Sequence, residues 1–109
     1  MTTSLPYVLL ILAILSEVIA TSALKASDGM TRLWPATLVV IGYTIAFLLL
    51  AQTLKSLPVG LTYAIWAGVG VVGVALVGIF FFDEVMTLTK AAGIALIIVG
   101  VALVQTSLA

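Results

Sequence analysis

Four runs of about twenty apolar residues, separated by short connectors that hold nearly every charge, limit this chain to very few folds. A helix rises 1.5 Å per residue, so about 20 residues cross the roughly 30 Å of hydrocarbon in a bilayer. The runs predict helices over residues 5–25, 34–54, 59–82 and 87–107 within a single domain, 1–109. Lys25, Asp28 and Arg32 fall in or beside the first connector, Lys55 in the second, and Asp83, Glu84 and Lys90 in or beside the third. Glu17 alone sits inside a run. Short connectors force consecutive helices to run antiparallel, which predicts an all-α, up-and-down four-helix membrane bundle.

The composition leads to the same conclusion. Apolar residues make up 64% of the chain and charged residues 7%, against about half and about a quarter in a soluble domain. No run shows the polar face that a water-facing helix requires, so lipid and not water covers this fold. The chain has no cysteine and no histidine, which removes disulfides, thiolate metal sites and His-based nucleophilic catalysis within one subunit. Zero net charge without a basic cluster removes the electrostatic footprint of nucleic-acid binding. Residues 1–6 carry no Lys or Arg and no small-residue cleavage site follows the first run, so that run is expected to be a retained helix and not a signal peptide.

Local signals agree with the span limits. Ser4 is placed to cap the first helix with Pro6 in its first turn, Pro35 opens the second helix, and Asp28-Gly29 and Leu57-Pro58 mark turns. Orientation is weakly encoded. Lys25, Arg32 and Lys90 lie on one side against Lys55 on the other, a small bias under the positive-inside rule, which leaves insertion in both orientations open.

Glu17 carries the chemistry. Helical residues three, four and seven apart share a face, so Leu10, Ala13, Ile14, Ala20, Thr21 and Leu24 form one stripe with it. A charged carboxylate at this depth costs several kcal/mol, so it must hold a proton, meet a cation or face a hydrated cavity. All four basic residues sit at helix ends, which leaves Glu17 without an internal partner and makes it a group that holds a proton until a cation arrives. Service as a neutral helix-helix hydrogen bond is the plainer reading. No second carboxylate, metal cluster or nucleophile-base pair can join it from within the chain, so neither an enzyme nor a cofactor is expected.

Aromatic residues share faces on two other helices, Tyr43 with Phe47 and Tyr63 with Trp66. Their π faces suit an organic cation, although packing or an interfacial belt would use the same residues. The third helix also carries the run Gly68-Val69-Gly70, which permits close packing or a bend. Gly93 and Gly100, seven apart on the fourth helix, suit a tight contact between subunits.

These residues together resemble the small multidrug resistance transporters over nearly the whole chain. The matching stretches are Ser16-Glu17-Val18-Ile19-Ala20-Thr21, Leu24-Lys25-Ala26-Ser27-Asp28-Gly29, Thr31-Arg32-Leu33-Trp34-Pro35, Leu50-Ala51-Gln52-Thr53-Leu54 and Tyr63-Ala64-Ile65-Trp66-Ala67-Gly68-Val69-Gly70. The resemblance implies a multi-pass protein of the bacterial inner membrane and an antiparallel homodimer of oppositely inserted copies. It implies one site shared by two copies of Glu17, which bind protons as the coupling ion and organic cations in turn. Leu10, Ala13, Ile14, Thr21, Tyr43, Phe47, Tyr63 and Trp66 would line that site. Gly68 and Gly70 would form the kink that exchanges its open side, and Gly93 and Gly100 the dimer contact. A guanidinium-exporting branch is expected to carry Gly, Trp and Ser where this chain has Ile14, Ala20 and Ala46, so the branch exporting hydrophobic, aromatic or quaternary ammonium cations fits better. A proton-conducting ring subunit or an assembly subunit also needs only one membrane carboxylate, but leaves the aromatic faces without a role.

Overall fold

A computed structural model of the chain describes residues 4–106; the expected limit of the fourth span at residue 107 lies outside them. The described residues form four helices and no strand: α1 (Leu5–Ala26), α2 (Leu33–Thr53), α3 (Val59–Phe81) and α4 (Leu88–Thr106). At 1.5 Å per residue each is about 28 to 35 Å long, and each is apolar enough to cross a bilayer. Large apolar side chains stand exposed along all four, among them Ile19, Leu48, Val71 and Leu103. For an all-α membrane protein this surface is where the acyl chains lie.

The contacts divide the chain into two helical hairpins, residues 1–58 and 59–109. In the first, α1 starts with Pro6 in its opening turn, where a missing N–H costs nothing. Ser4 occupies the N-cap position but makes no side-chain cap hydrogen bond, contrary to the expectation from sequence. Its carbonyl accepts the Val8 N–H at 3.1 Å, so the backbone fastens this end. The other end of α1 turns on Ser27, which is fully buried. Its hydroxyl donates to the Leu24 carbonyl at 2.7 Å and accepts the Met30 N–H at 2.9 Å, while its carbonyl accepts the N–H groups of Thr31 and Arg32. Asp28, Gly29 and Met30 all take positive φ to make the turn, and only Gly29 does so without crowding a side chain.

The antiparallel register of α1 and α2 is set by small residues. Gly42 is buried in the seam, and a Cβ there would lie 2.8 Å from Ala20 Cβ and 3.2 Å from the Ser16 carbonyl oxygen. Leu10, Ala13, Ile14, Ala20 and Ala23 of α1 and Val39 and Ala46 of α2 are also buried.

The second hairpin is looser. Gly68 of α3 faces Val101 and Ile97 of α4, yet α4 contains no buried residue. After α3 the chain folds back: Phe82 and Glu84 both donate their N–H to the Gly78 carbonyl, and the Glu84 carboxylate lies over the face where Gly78 lacks a side chain. Asp83 takes a positive φ of 57° in that turn. Thr87 then caps α4, its hydroxyl accepting the Lys90 N–H at 3.0 Å, while Lys90 Nζ donates to the Val85 carbonyl.

Candidate functional site

A hydroxyl inside a membrane helix has a default partner, the carbonyl one turn back, because lipid offers none. Four of the serine and threonine hydroxyls in α1 and α2 follow that rule: Ser22 to Val18, Thr37 to Leu33, Thr44 to Val40 and Thr53 to Leu49, at 2.7 to 2.9 Å. The other two, Ser16 and Thr21, reach across to α2. Both lie within one turn of Glu17.

Glu17 is half-buried and sits about 18 Å along α1, near the middle of the span. Thr21, one turn further on the same face, donates its hydroxyl to Glu17 Oε2 at 2.5 Å. The Thr21 oxygen also lies 2.5 Å from the Tyr43 hydroxyl of α2. A threonine has one hydroxyl proton, so when it is given to Glu17 the Tyr43 O–H must be the donor to Thr21. The result is a chain directed from Tyr43 through Thr21 to the carboxylate. Nothing in the geometry prevents the opposite direction, in which a protonated Glu17 donates to Thr21. The network therefore serves both charge states by turning two hydroxyls.

Among the described residues of the first hairpin, no basic side chain lies at this depth. Lys25, the nearest basic residue in sequence, lies two turns beyond Glu17, about 12 Å along the axis. Arg32 is the N-cap of α2, Lys55 follows that helix and Lys90 stands in the first turn of α4. Among the described residues no three acidic, His or Cys side chains gather as a metal site would need.

Tyr43 is half-buried and stacks on Phe47 one turn along, with ring centroids 6.3 Å apart and planes at 29°. Phe47 itself is 57% exposed and offers its ring to the surroundings of the hairpin. Leu10, Ala13 and Ile14, on the Glu17 stripe, are buried to 3% exposure or less. Tyr63 and Trp66 belong to α3 in the second hairpin, Tyr63 largely exposed and Trp66 half-buried. Helix α3 continues unbroken through Gly68 and Gly70, both buried. Gly93 and Gly100 on α4 have open space where a side chain would be. The structure thus joins Glu17, Thr21, Tyr43 and Phe47 in one continuous feature.

Sequence reasoning placed Thr21 beside Glu17 but did not find its bond to Tyr43, which depends on the register of two helices. It gave Ser16 no role of its own and did not single out Gly42. The Ser16 hydroxyl donates to the Gly42 carbonyl at 2.8 Å, immediately before Tyr43. The available signal was a hydroxyl adjacent to the buried acid and a glycine adjacent to the tyrosine.

Comparison with known proteins places the chain in a family. The model of the Small Multidrug Resistance protein family matches residues 5–97. The chain is 46% identical over 100 residues to the multidrug transporter EmrE of Escherichia coli, covering 92% of this chain and 91% of that one. It is 47% identical over 99 residues to the quaternary ammonium compound-resistance protein QacF of Klebsiella aerogenes, covering 91% and 90%. With the multidrug resistance protein EbrA of Bacillus licheniformis it shares 44% over 101 residues, covering 93% and 96%. Four membrane helices, one acid at mid-span and a family match over most of the chain lead to one conclusion: this protein belongs to the Small Multidrug Resistance family.

Proposed function

We propose that the protein exports hydrophobic, aromatic or quaternary ammonium cations in exchange for protons, with Glu17 as the group that both must occupy. As a member of a transporter family it is not an enzyme, and it is a multi-pass protein of the bacterial inner membrane. The observation that carries the proposal is the Tyr43–Thr21–Glu17 chain at mid-span. A lone carboxylate in lipid must be neutralised by a proton or by a ligand cation. When the proton leaves, Thr21 and Tyr43 reorient to donate toward the carboxylate and share its charge, and the aromatic faces of Tyr43 and Phe47 receive an organic cation. Proton and cation compete for one carboxylate, so neither is bound while the other is.

The names of relatives, a multidrug transporter and a quaternary ammonium compound-resistance protein, support the substrate class. Ile14, Ala20 and Ala46, all buried, support the same branch, since the guanidinium-exporting branch is expected to carry Gly, Trp and Ser there. In this proposal two oppositely inserted copies form an antiparallel homodimer with a shared pair of Glu17 residues. Tyr63 and Trp66 line the site with Leu10, Ala13, Ile14 and Thr21. Gly93 and Gly100 make the dimer contact, and Gly68 with Gly70 bends α3 as the open side changes. Protons are the coupling ion, and no other cofactor takes part. Each pH unit of gradient supplies about 1.4 kcal/mol per proton, and each net charge crossing 100 mV adds about 2.3 kcal/mol.

Tetraphenylphosphonium added to detergent-solubilised protein in weak buffer tests the proposal. Proton release that saturates with the ligand and disappears in Glu17→Gln is expected. Binding without any release would overturn the exchange mechanism.

A further inference from the structure

The bond from Ser16 to Gly42 departs from the habit of the other span hydroxyls. Ser22, Thr37, Thr44 and Thr53 satisfy themselves within their own helix, so Ser16 had a local partner in the carbonyl of Leu12 and does not use it. It crosses instead to the carbonyl of the one glycine of α2, where the two helices are in close contact. Three contacts converge on Gly42: the Ser16 hydroxyl on its carbonyl at 2.8 Å, and the Ala20 methyl and Ser16 carbonyl against the face where it has no side chain. Together they fix both the depth and the rotation of α2 against α1 at this point.

Tyr43 is the next residue. Its hydroxyl meets Thr21 at 2.5 Å, and a slip of one residue along the axis, about 1.5 Å, would take that pair out of hydrogen-bonding range. We infer that Ser16 is a positioning residue for the transport site: through Gly42 it holds the Tyr43 hydroxyl on Thr21, and so keeps the donor chain aimed at Glu17. The inference rests on the reading of Glu17 as the proton and cation site. Ser16 touches neither proton nor substrate, and its effect must pass through Tyr43.

That dependence gives the test. Tetraphenylphosphonium affinity and the protons released on binding are measured on the full-length protein in detergent, for wild type, Ser16→Ala, Ser16→Thr, Tyr43→Phe and the Ser16→Ala/Tyr43→Phe double variant. Ser16→Ala is expected to weaken binding about fivefold, the change that goes with one uncharged hydrogen bond. Ser16→Thr, which keeps the hydroxyl, restores it. In the Tyr43→Phe background Ser16→Ala causes no further loss, since the hydroxyl it positions is gone. Wild-type affinity in Ser16→Ala, no rescue by Thr, or an undiminished loss in the Tyr43→Phe background each overturns the inference while leaving Glu17 exchange intact. Ligand binding by wild type without proton release removes the exchange reading, and the role of Ser16 with it.

Discussion

The two hairpins are built from the same apolar material and differ in what closes them. Between α1 and α2 the seam is closed by backbone: Gly42 lies against Ala20 and the Ser16 carbonyl, and hydroxyls from α1 bond across it. Between α3 and α4 the close point is Gly68 against the side chain of Val101, and α4 buries nothing. Lipid gives no hydrophobic drive to helix pairing, so close packing and cross-helix hydrogen bonds must supply it. The first hairpin combines backbone contact at Gly42 with hydroxyl bonds across the seam, and so holds a carboxylate in register. The second leaves a groove lined by Ala64, Ala67, Gly68, Val71, Ile97, Gly100, Val101 and Val104, an apolar surface suited to helix packing. In the proposed exchange mechanism the close-packed pair of helices would keep the site in register while the looser pair repacks.

The largest effect is expected at the acid that the first hairpin holds. Glu17→Gln preserves size and hydrogen bonding to Thr21 but removes the ionisable group. Proton-driven uptake of a quaternary ammonium cation into proteoliposomes should fall to the level of protein-free liposomes. Uptake at the wild-type rate would mean that the acid of the rigid hairpin is only structural.

The next comparison sets the two glycine seams against each other. In Gly42→Ala the new methyl meets Ala20 Cβ and the Ser16 carbonyl, neither of which can rotate away, and such overpacking typically costs about 1–3 kcal/mol. In Gly68→Ala the methyl meets a branch of Val101 more closely still, but on a helix with no buried residue that can shift as a whole. The midpoint of thermal unfolding in detergent should therefore drop clearly for Gly42→Ala and much less for Gly68→Ala. Equal losses would erase the contrast between the hairpins.

A smaller change separates ring from hydroxyl at the site. Tyr43→Phe keeps the stack on Phe47 and removes the first donor of the chain. Tetraphenylphosphonium affinity should fall about fivefold, as for the loss of one hydrogen bond. Unchanged affinity in Tyr43→Phe would show that the hydroxyl chain to Glu17 takes no part in binding.

How much of this was legible in the sequence follows from the range of each interaction. Span length and the placement of charges depend on one chain in one solvent, so the four helices could be read directly, and so could Glu17 as the acid among apolar neighbours. The i,i+4 spacing of Glu17 and Thr21 is a property of one helix and was equally plain. The partners on α2 were not, because their register depends on which small residues touch, and no periodicity announces that Gly42 meets Ala20. The positive φ at Asp28, Met30 and Asp83 was hidden too, since only Gly29 among these turn residues advertises it. Glu84 reads from sequence as a solvated connector charge, yet its carboxylate covers Gly78.

The last predicted effect has the opposite sign. Thr53 of the first hairpin and Thr62 of the second are both buried to 1% exposure or less. Thr53 gives its hydroxyl to the Leu49 carbonyl at 2.9 Å, whereas Thr62 Oγ1 is buried with no hydrogen-bond partner among the described residues. A buried hydroxyl left unpaired costs about 1–3 kcal/mol, and replacing it by a methyl of the same shape removes that cost. Thr62→Val should therefore raise the unfolding midpoint in detergent. Thr53→Val loses a satisfied bond, but the Leu49 carbonyl keeps its helical N–H partner, so its midpoint should stay level or fall slightly. A drop in Thr62→Val would mean that its hydroxyl finds a partner in the assembled membrane protein.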